Sequence, residues 1–444
     1  MSHSEGGYAD EASATLPWER YQRNFLIAGV GGVALCLVAA LVVRPAALAS
    51  YLAAYLFWLG IALGSLAIVL LHYLTGGTWG FLIRRPLEAA MMTLPVMGLL
   101  FLPLLIDPGA IYPWARPSVV AADVALQHKR PYLNLGFFAI RAAIYFAIWI
   151  GLALFVNRCS KRQDQTEDPS PTRQAGTVAA PVLMLYFLCM TFAAVDWGMS
   201  LEPEWYSTIY GVMLMIGQGL STLAAMVVVA SFLARLRPPS ALARPDVFHD
   251  VGNLMLAFTM LWAYMSFSQY LIIWYGNLTE EIPWYLNRSL GAWRYIAASL
   301  ILFHFFLPFF LLLNREAKRQ YESLWKIAVL ILIMHAINDA WLVLPALHTA
   351  NIFRFWAWIP AFVGIGGLWA AAFTWQLKGR PLVPRHDPML AEALVHHGVH
   401  HEWPRDTWTI PRRCRTPTPP GRATRPGTPT SPGCCCSGRA WSSS

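Results

Sequence analysis

The chain alternates between long apolar runs and short polar connections. A bilayer core takes about 20 consecutive apolar residues per helix. Ten runs reach that length, at 24–43, 51–74, 87–106, 133–156, 178–199, 207–234, 251–276, 290–313, 323–347 and 352–377. The pattern predicts an all-α integral membrane protein of about ten transmembrane helices. The first run lies behind a polar stretch, 1–23, and no small-residue cleavage site ends it. It therefore reads as a span and not as a signal peptide.

Composition narrows the class further. Of 444 residues, 57% are hydrophobic and 13% charged, against about 25% charged in an ordinary soluble domain. That balance excludes a disordered chain, a collagen-like fibre, a coiled coil and almost any soluble enzyme. The formal charge of +9 implies no nucleic-acid surface, because most of it sits in 403–444, where seven arginines face one acid, Asp406. Cys36, Cys159, Cys189, Cys414 and Cys434 to Cys436 show no C-x-x-C-H haem attachment and no C-x-x-C metal spacing.

Lysine and arginine between the runs set the orientation. Seventeen fall in one alternating set of segments: Arg20, Arg23, Arg84, Arg85, Arg158, Lys161, Arg162, Arg173, Arg235, Arg237, Arg244, Arg315, Lys318, Arg319, Lys378, Arg380 and Arg385. The other set holds five: Arg44, Arg116, Lys129, Arg130 and Arg288. Both termini are thus expected in the cytoplasm, with 1–23 and 378–403 as cytoplasmic segments flanking a transmembrane domain over 24–377. Residues 158–177 read as a solvated cytoplasmic linker and 107–132 as a longer outer loop. Aromatic, acidic stretches at 196–205 and 280–284 fit an outer interfacial belt. Residues 404–444, rich in Pro, Arg, Ser, Gly and Cys, cannot bury a core and read as a disordered, frame-shifted tail. Its triple cysteine is also a pattern for palmitoylation.

A charge at mid-membrane costs on the order of 2.5–3.5 kcal/mol, so each such residue needs a partner, water or a task. With this orientation His72 and Glu88 lie near the cytoplasmic ends of the second and third helices. His304 and His335 lie near mid-membrane, and Arg141, Asp196, Gln269, Arg294 and Asp339 lie toward the outside. His335, Asn338 and Asp339 share one helix face through spacings of three and four. Asp339 would orient His335 as a relay requires; a hydrogen-bonded polar plug is the plainer alternative. The relay would join His335, Asp339 and His304, inward to His72 or Glu88 and outward to Asp196 and Arg141. Plainer roles are open for the others: interfacial anchoring for Arg141 and Arg294, a helix-terminus charge for Glu88, loop pairing for Asp196.

Helices 2–5 and 6–9 each begin with a Gly/Ser-rich helix and carry an arginine near the start of the third, Arg141 or Arg294. This suggests two four-helix bundles flanked by helices 1 and 10. No bis-histidine haem pattern, haem–copper histidine pairs, Walker A motif or dinucleotide fingerprint occurs. The expectation is a chain with no metal site and no covalently bound cofactor, meeting electron carriers only on partners.

Four stretches carry a family resemblance: FSQYLIIWYGNLTEEIPWYLNRSLGAW (267–293), DWGMSLEPEWYSTIYG (196–211), TGGTWGFLIRRPLEAA (75–90) and RPLVPRHDPMLAEAL (380–394). They resemble the quinol:cytochrome c oxidoreductase quinone-binding subunit 2 family, membrane subunits of the bacterial alternative complex III that are related to polysulfide reductase-type membrane subunits. The resemblance spans nearly all of 18–400. It implies ten helices in two four-helix bundles in the bacterial inner membrane, among lipid. It also implies partners: a sister membrane subunit, an iron–sulfur protein and c-type cytochromes, whose clusters and haem c carry the electrons. Quinone or quinol is then a possible ligand, and Arg141, Asp196, Gln269 and Arg294 are candidates for an outer quinone or proton-exit site. Whether such a chain binds quinol, moves protons or only braces the complex is left open by the motifs. Ten helices with a weak repeat also suit a secondary transporter.

Overall fold

The computed structural model describes residues 17–236, 244–349, 351–378, 380–384, 386–388 and 390. Among them the chain is an all-α, multi-pass membrane protein. Nine described helices are long and apolar enough to cross a membrane: α1 (Trp18–Val42), α2 (Arg44–Thr75), α4 (Leu135–Gln163), α5 (Ser170–Trp197), α6 (Tyr210–Leu236), α7 (Pro245–Gly276), α8 (Trp293–Leu313), α9 (Tyr321–Val343) and α10 (Trp358–Lys378). A further element, α3, is a bent pair, Thr78–Met91 and Leu94–Ile106, at 42° to each other, and makes a tenth span if its halves cross as one. Met92 and Thr93 form the break, and Pro95 opens the second half at a position where its missing N–H costs nothing.

The predicted bundles form. Helices α2 to α5 pack as one group and α6 to α9 as another, joined where α2 lies against α6 and α9. At that seam a methyl on Gly64 would lie 2.5 Å from the Gln218 carbonyl, and Thr222 Oγ1 donates to the Ile61 carbonyl at 3.2 Å. Helices α1 and α10 pair with each other and lean on α2. Their contact is backbone to backbone: a methyl on Gly32 would lie 2.5 Å from Gly364 Cα, and one on Gly367 would lie 2.5 Å from Gly29 N. Small residues permit this approach where no hydrophobic force separates helix from lipid. Trp58 Nε1 donates to the Phe362 carbonyl at 3.0 Å and fastens α10 to the bundles. The outward faces of α1, α7 and α8 are exposed and apolar, as lipid contact requires.

Several boundaries differ from the apolar runs. The third span begins at Thr78, not 87, and carries Arg84, Arg85 and Glu88 buried within it. Helix α4 continues to Gln163 and α5 starts at Ser170, so the connection is 164–169 and not 158–177. Hydropathy marks the depth of the bilayer; Arg158, Lys161, Arg162 and Gln163 are good helix formers that extend the helix past it. The loop 107–132 contains two short helices, Pro117–Ala122 and Val124–Lys129. The tail over 404–444 lies outside the described residues.

Candidate functional site

One side of the bundle, where α1 begins and α10 ends, is called the near side here, and the opposite end the far side. Between them lies the pair His304 and His335. On α9, His335 Nε2 is 3.8 Å from Asp339 Oδ2, and Asn338 Nδ2 lies 3.5 Å from Asp339 Oδ1. The one-turn spacing read from sequence therefore brings these groups together. The His304 ring of α8 sits 5.5 Å from the His335 ring, centroid to centroid. Trp262 of α7 packs on His304 at 4.1 Å, and Phe57 of α2 approaches His335 at 6.0 Å. All three ionisable groups are buried. Both ring nitrogens of His304 and Nδ1 of His335 have no hydrogen-bond partner.

The backbone explains how His304 reaches this place. Pro308 has no N–H to give the carbonyl four residues back, which is that of His304. Residues Leu300–Phe306 form a π turn, and Leu307 N donates to the Leu302 carbonyl, five residues away. Such turns cluster at functional sites.

On the near side, Glu88 is fully buried among three arginines. Arg84 Nε reaches Glu88 Oε1 at 3.2 Å, Arg85 Nη1 reaches Oε2 at 2.7 Å, and Arg380 Nη1 lies 3.5 Å from Oε2. Ser160 Oγ donates to Oε1 at 2.7 Å. Arg84 also pairs with Asp387 at 2.7 Å, and Arg85 pairs with Asp164. Three cations meet three carboxylates, so the cluster is balanced. Burial pulls the Arg380 guanidinium below its usual range while Glu88 opposes the shift. His72 borders this cluster; its Nε2 lies 3.0 Å from the Gly77 carbonyl and its ring packs on Trp79 and Phe81. The turn before Thr78 places Gly76 and Gly77 at φ 66° and 99°, which only glycine adopts freely.

On the far side, Arg141 clamps Asp196 with two parallel bonds of 2.8 Å, and Tyr145 donates to the same carboxylate at 2.9 Å. The guanidinium also lies 3.9 Å over the Tyr132 ring. Burial, with Asp196 nearby, pushes the Tyr132 hydroxyl up to about 12. Sequence reading missed a second far-side pair and took its arginine as a loop charge. Arg288 is buried, lies 3.7 Å over Trp284, binds Glu202 at 2.7 Å and donates to the Leu342 carbonyl at 2.6 Å. It thereby caps the last turn of the helix that carries Asp339. Its place beside Trp284 in the 267–293 stretch was the available signal. Gln269 is bonded to Ser207 at the wall of a cleft of about 130 Å³ that includes Tyr206 and Glu281. Arg294 is exposed, 5.0 Å over Tyr295, and joins no other candidate.

The candidates thus fall into separate groups: His304, His335 and Asp339 centrally; His72 and Glu88 near; Arg141 and Asp196 far; Gln269 and Arg294 each apart. No family model matches the chain, and no curated protein matches it. Among the described residues, no group of three or more His, Cys, Asp or Glu is placed to hold a metal. The carboxylates of Glu88 and Asp196 are both held by arginines. The Asp339 carboxylate, by contrast, has no arginine on it and faces the His335 imidazole.

Proposed function

We propose that this chain is the membrane subunit of a quinol:electron-acceptor oxidoreductase of the alternative complex III type, in the bacterial inner membrane with both termini cytoplasmic. It handles protons and holds no redox metal of its own. One observation carries the reading: two imidazoles, three of whose ring nitrogens have no hydrogen bond, and an arginine-free carboxylate 3.8 Å from one of them, buried together within the second bundle. One carboxylate balances one imidazolium and no more, so the trio is a one-proton store. Asp339 lies one turn beyond His335 along α9, an order suited to stepwise transfer.

Quinone fits this chain less well. The cleft beside Gln269 offers a hydroxyl and an amide, but about 130 Å³ is well below the roughly 300–1,000 Å³ of small-molecule sites. That cleft is too small to enclose a quinone head. Iron–sulfur and c-type cytochrome subunits would carry the electrons.

A second reading, a secondary transporter, has the broken third span in its favour, since discontinuous helices line transporter sites. Affinity purification of the chain from its native membrane separates the two. Co-purification of multihaem cytochromes with quinol-oxidising activity is expected; a chain recovered without them supports the transporter. In the reconstituted complex, Asp339→Asn is expected to assemble normally and lose proton translocation. Full rate and proton stoichiometry in that variant would make the trio a structural plug.

A further inference from the structure

The two imidazoles meet because of two residues that carry no chemistry of their own. On α6, Gly217 lies directly under the His335 ring. A methyl there would stand 2.5 Å from Cε1 and 3.1 Å from Nε2, closer than real Cβ contacts, so any side chain at 217 evicts the ring. On α8, Pro308 withholds the N–H that an ordinary helix would give the His304 carbonyl, and the π turn at Leu300–Phe306 follows. These are independent features on different helices. They act on the two partners of one pair, and the pair pays for its burial with three ring nitrogens that have no hydrogen bond. Packing alone does not call for that arrangement, since a buried polar atom left without a hydrogen bond destabilises the fold.

We propose that Gly217 and Pro308 are positioning residues that hold the His335 and His304 rings next to each other, 5.5 Å between centroids, so that protonation of one ring governs protonation of the other. The proposal rests on the proton-handling reading above. The groups facing the pair are Asp339 on α9, Trp262 on α7, Phe57 on α2 and the Gly217 backbone on α6; of these only Asp339 titrates.

The test uses the full chain in lipid nanodiscs with nitrogen-15 histidine, and follows ring-nitrogen shifts with pH. In the native sequence, His335→Gln is expected to move the His304 titration midpoint by about one pH unit or more. In a Gly217→Ala background that dependence should vanish, and likewise in Pro308→Ala. The control is Gly219→Ala, whose methyl would strike Phe258 instead; it should leave the dependence in place. Persistence of the dependence in both Gly217→Ala and Pro308→Ala overturns the positioning role and leaves the proton reading standing. Equal loss in Gly219→Ala reduces Gly217 to helix packing and also overturns it. If His335→Gln leaves His304 unmoved in the native sequence, the proton reading itself fails, and this proposal with it. Should Gly217→Ala fail to fold, Pro308→Ala decides alone.

Discussion

Arg141 and Asp196, fifty-five residues apart on neighbouring helices, face each other through two parallel hydrogen bonds of 2.8 Å, with the Tyr145 hydroxyl completing the carboxylate at 2.9 Å. The fork geometry is the strong form of a charge pair. Its burial makes each partner dependent on the other. Arg141→Ala and Asp196→Ala are each expected to cost about 3–5 kcal/mol, because a buried charge is left alone. Replacing both by apolar residues should cost less than either single change. Thermal unfolding of the purified chain in detergent measures all three.

The Glu88 cluster makes a parallel prediction at the opposite end. Glu88→Gln leaves Arg84, Arg85 and Arg380 facing two carboxylates. The expected result is a loss of about 3–5 kcal/mol, with release of the segment around Arg380 and Asp387 from α3. Limited proteolysis should then cleave near residue 384 in the variant sooner than in the native chain. Asp387→Asn should expose the same segment with a smaller loss of stability, since Glu88 keeps its arginines.

Much of this was legible in the sequence. Ten apolar runs marked the spans, the arginine of the fourth helix and the aspartate of the fifth proved to be partners, and His335 and Asp339 stood one turn apart. The remainder depends on distance along the chain. Asp387 meets Arg84 across 303 residues, and Arg288 meets the Leu342 carbonyl across 54; no periodicity encodes such meetings. The approach of His304 to His335 was hidden differently. Pro308 is plain in the sequence, but whether it kinks, ends or widens a helix is decided by the neighbours.

Topology offers a direct check on the bent third span. Reporters fused after Gly77, Thr166 and Ala317 should report cytoplasm, and those after Asp123 and Glu280 the outside. A cytoplasmic signal after Asp123 would make Thr78–Ile106 a re-entrant pair, and the sidedness of everything beyond it would reverse.

Lys318 supplies a pH prediction. Its residue is buried, and its ammonium donates to Asn253 Oδ1 at 2.6 Å. Burial pulls its proton affinity below the usual lysine range, and Arg315 acts in the same direction. A lowered folded value means that folding is opposed while the lysine is charged. That opposition is complete at low pH and fades as pH rises through the folded value toward the unfolded one, about 10.4. Lys318→Met should therefore raise the unfolding midpoint at pH 7 and raise it less at alkaline pH. A gain that does not shrink between neutral and alkaline buffer would contradict the assignment.

The glycine seam between α1 and α10 has a consequence for how the molecule is made. Helix α1 finds its companion in α10, more than three hundred residues later. At about 5–20 residues per second, that interval is on the order of 17–67 s, during which α1 waits in lipid with its small-residue stripe uncovered. Any chain cut short before Gly364 leaves the stripe bare for good. The seam is thus a late contact, closed only after the helices between α1 and α10 have been made.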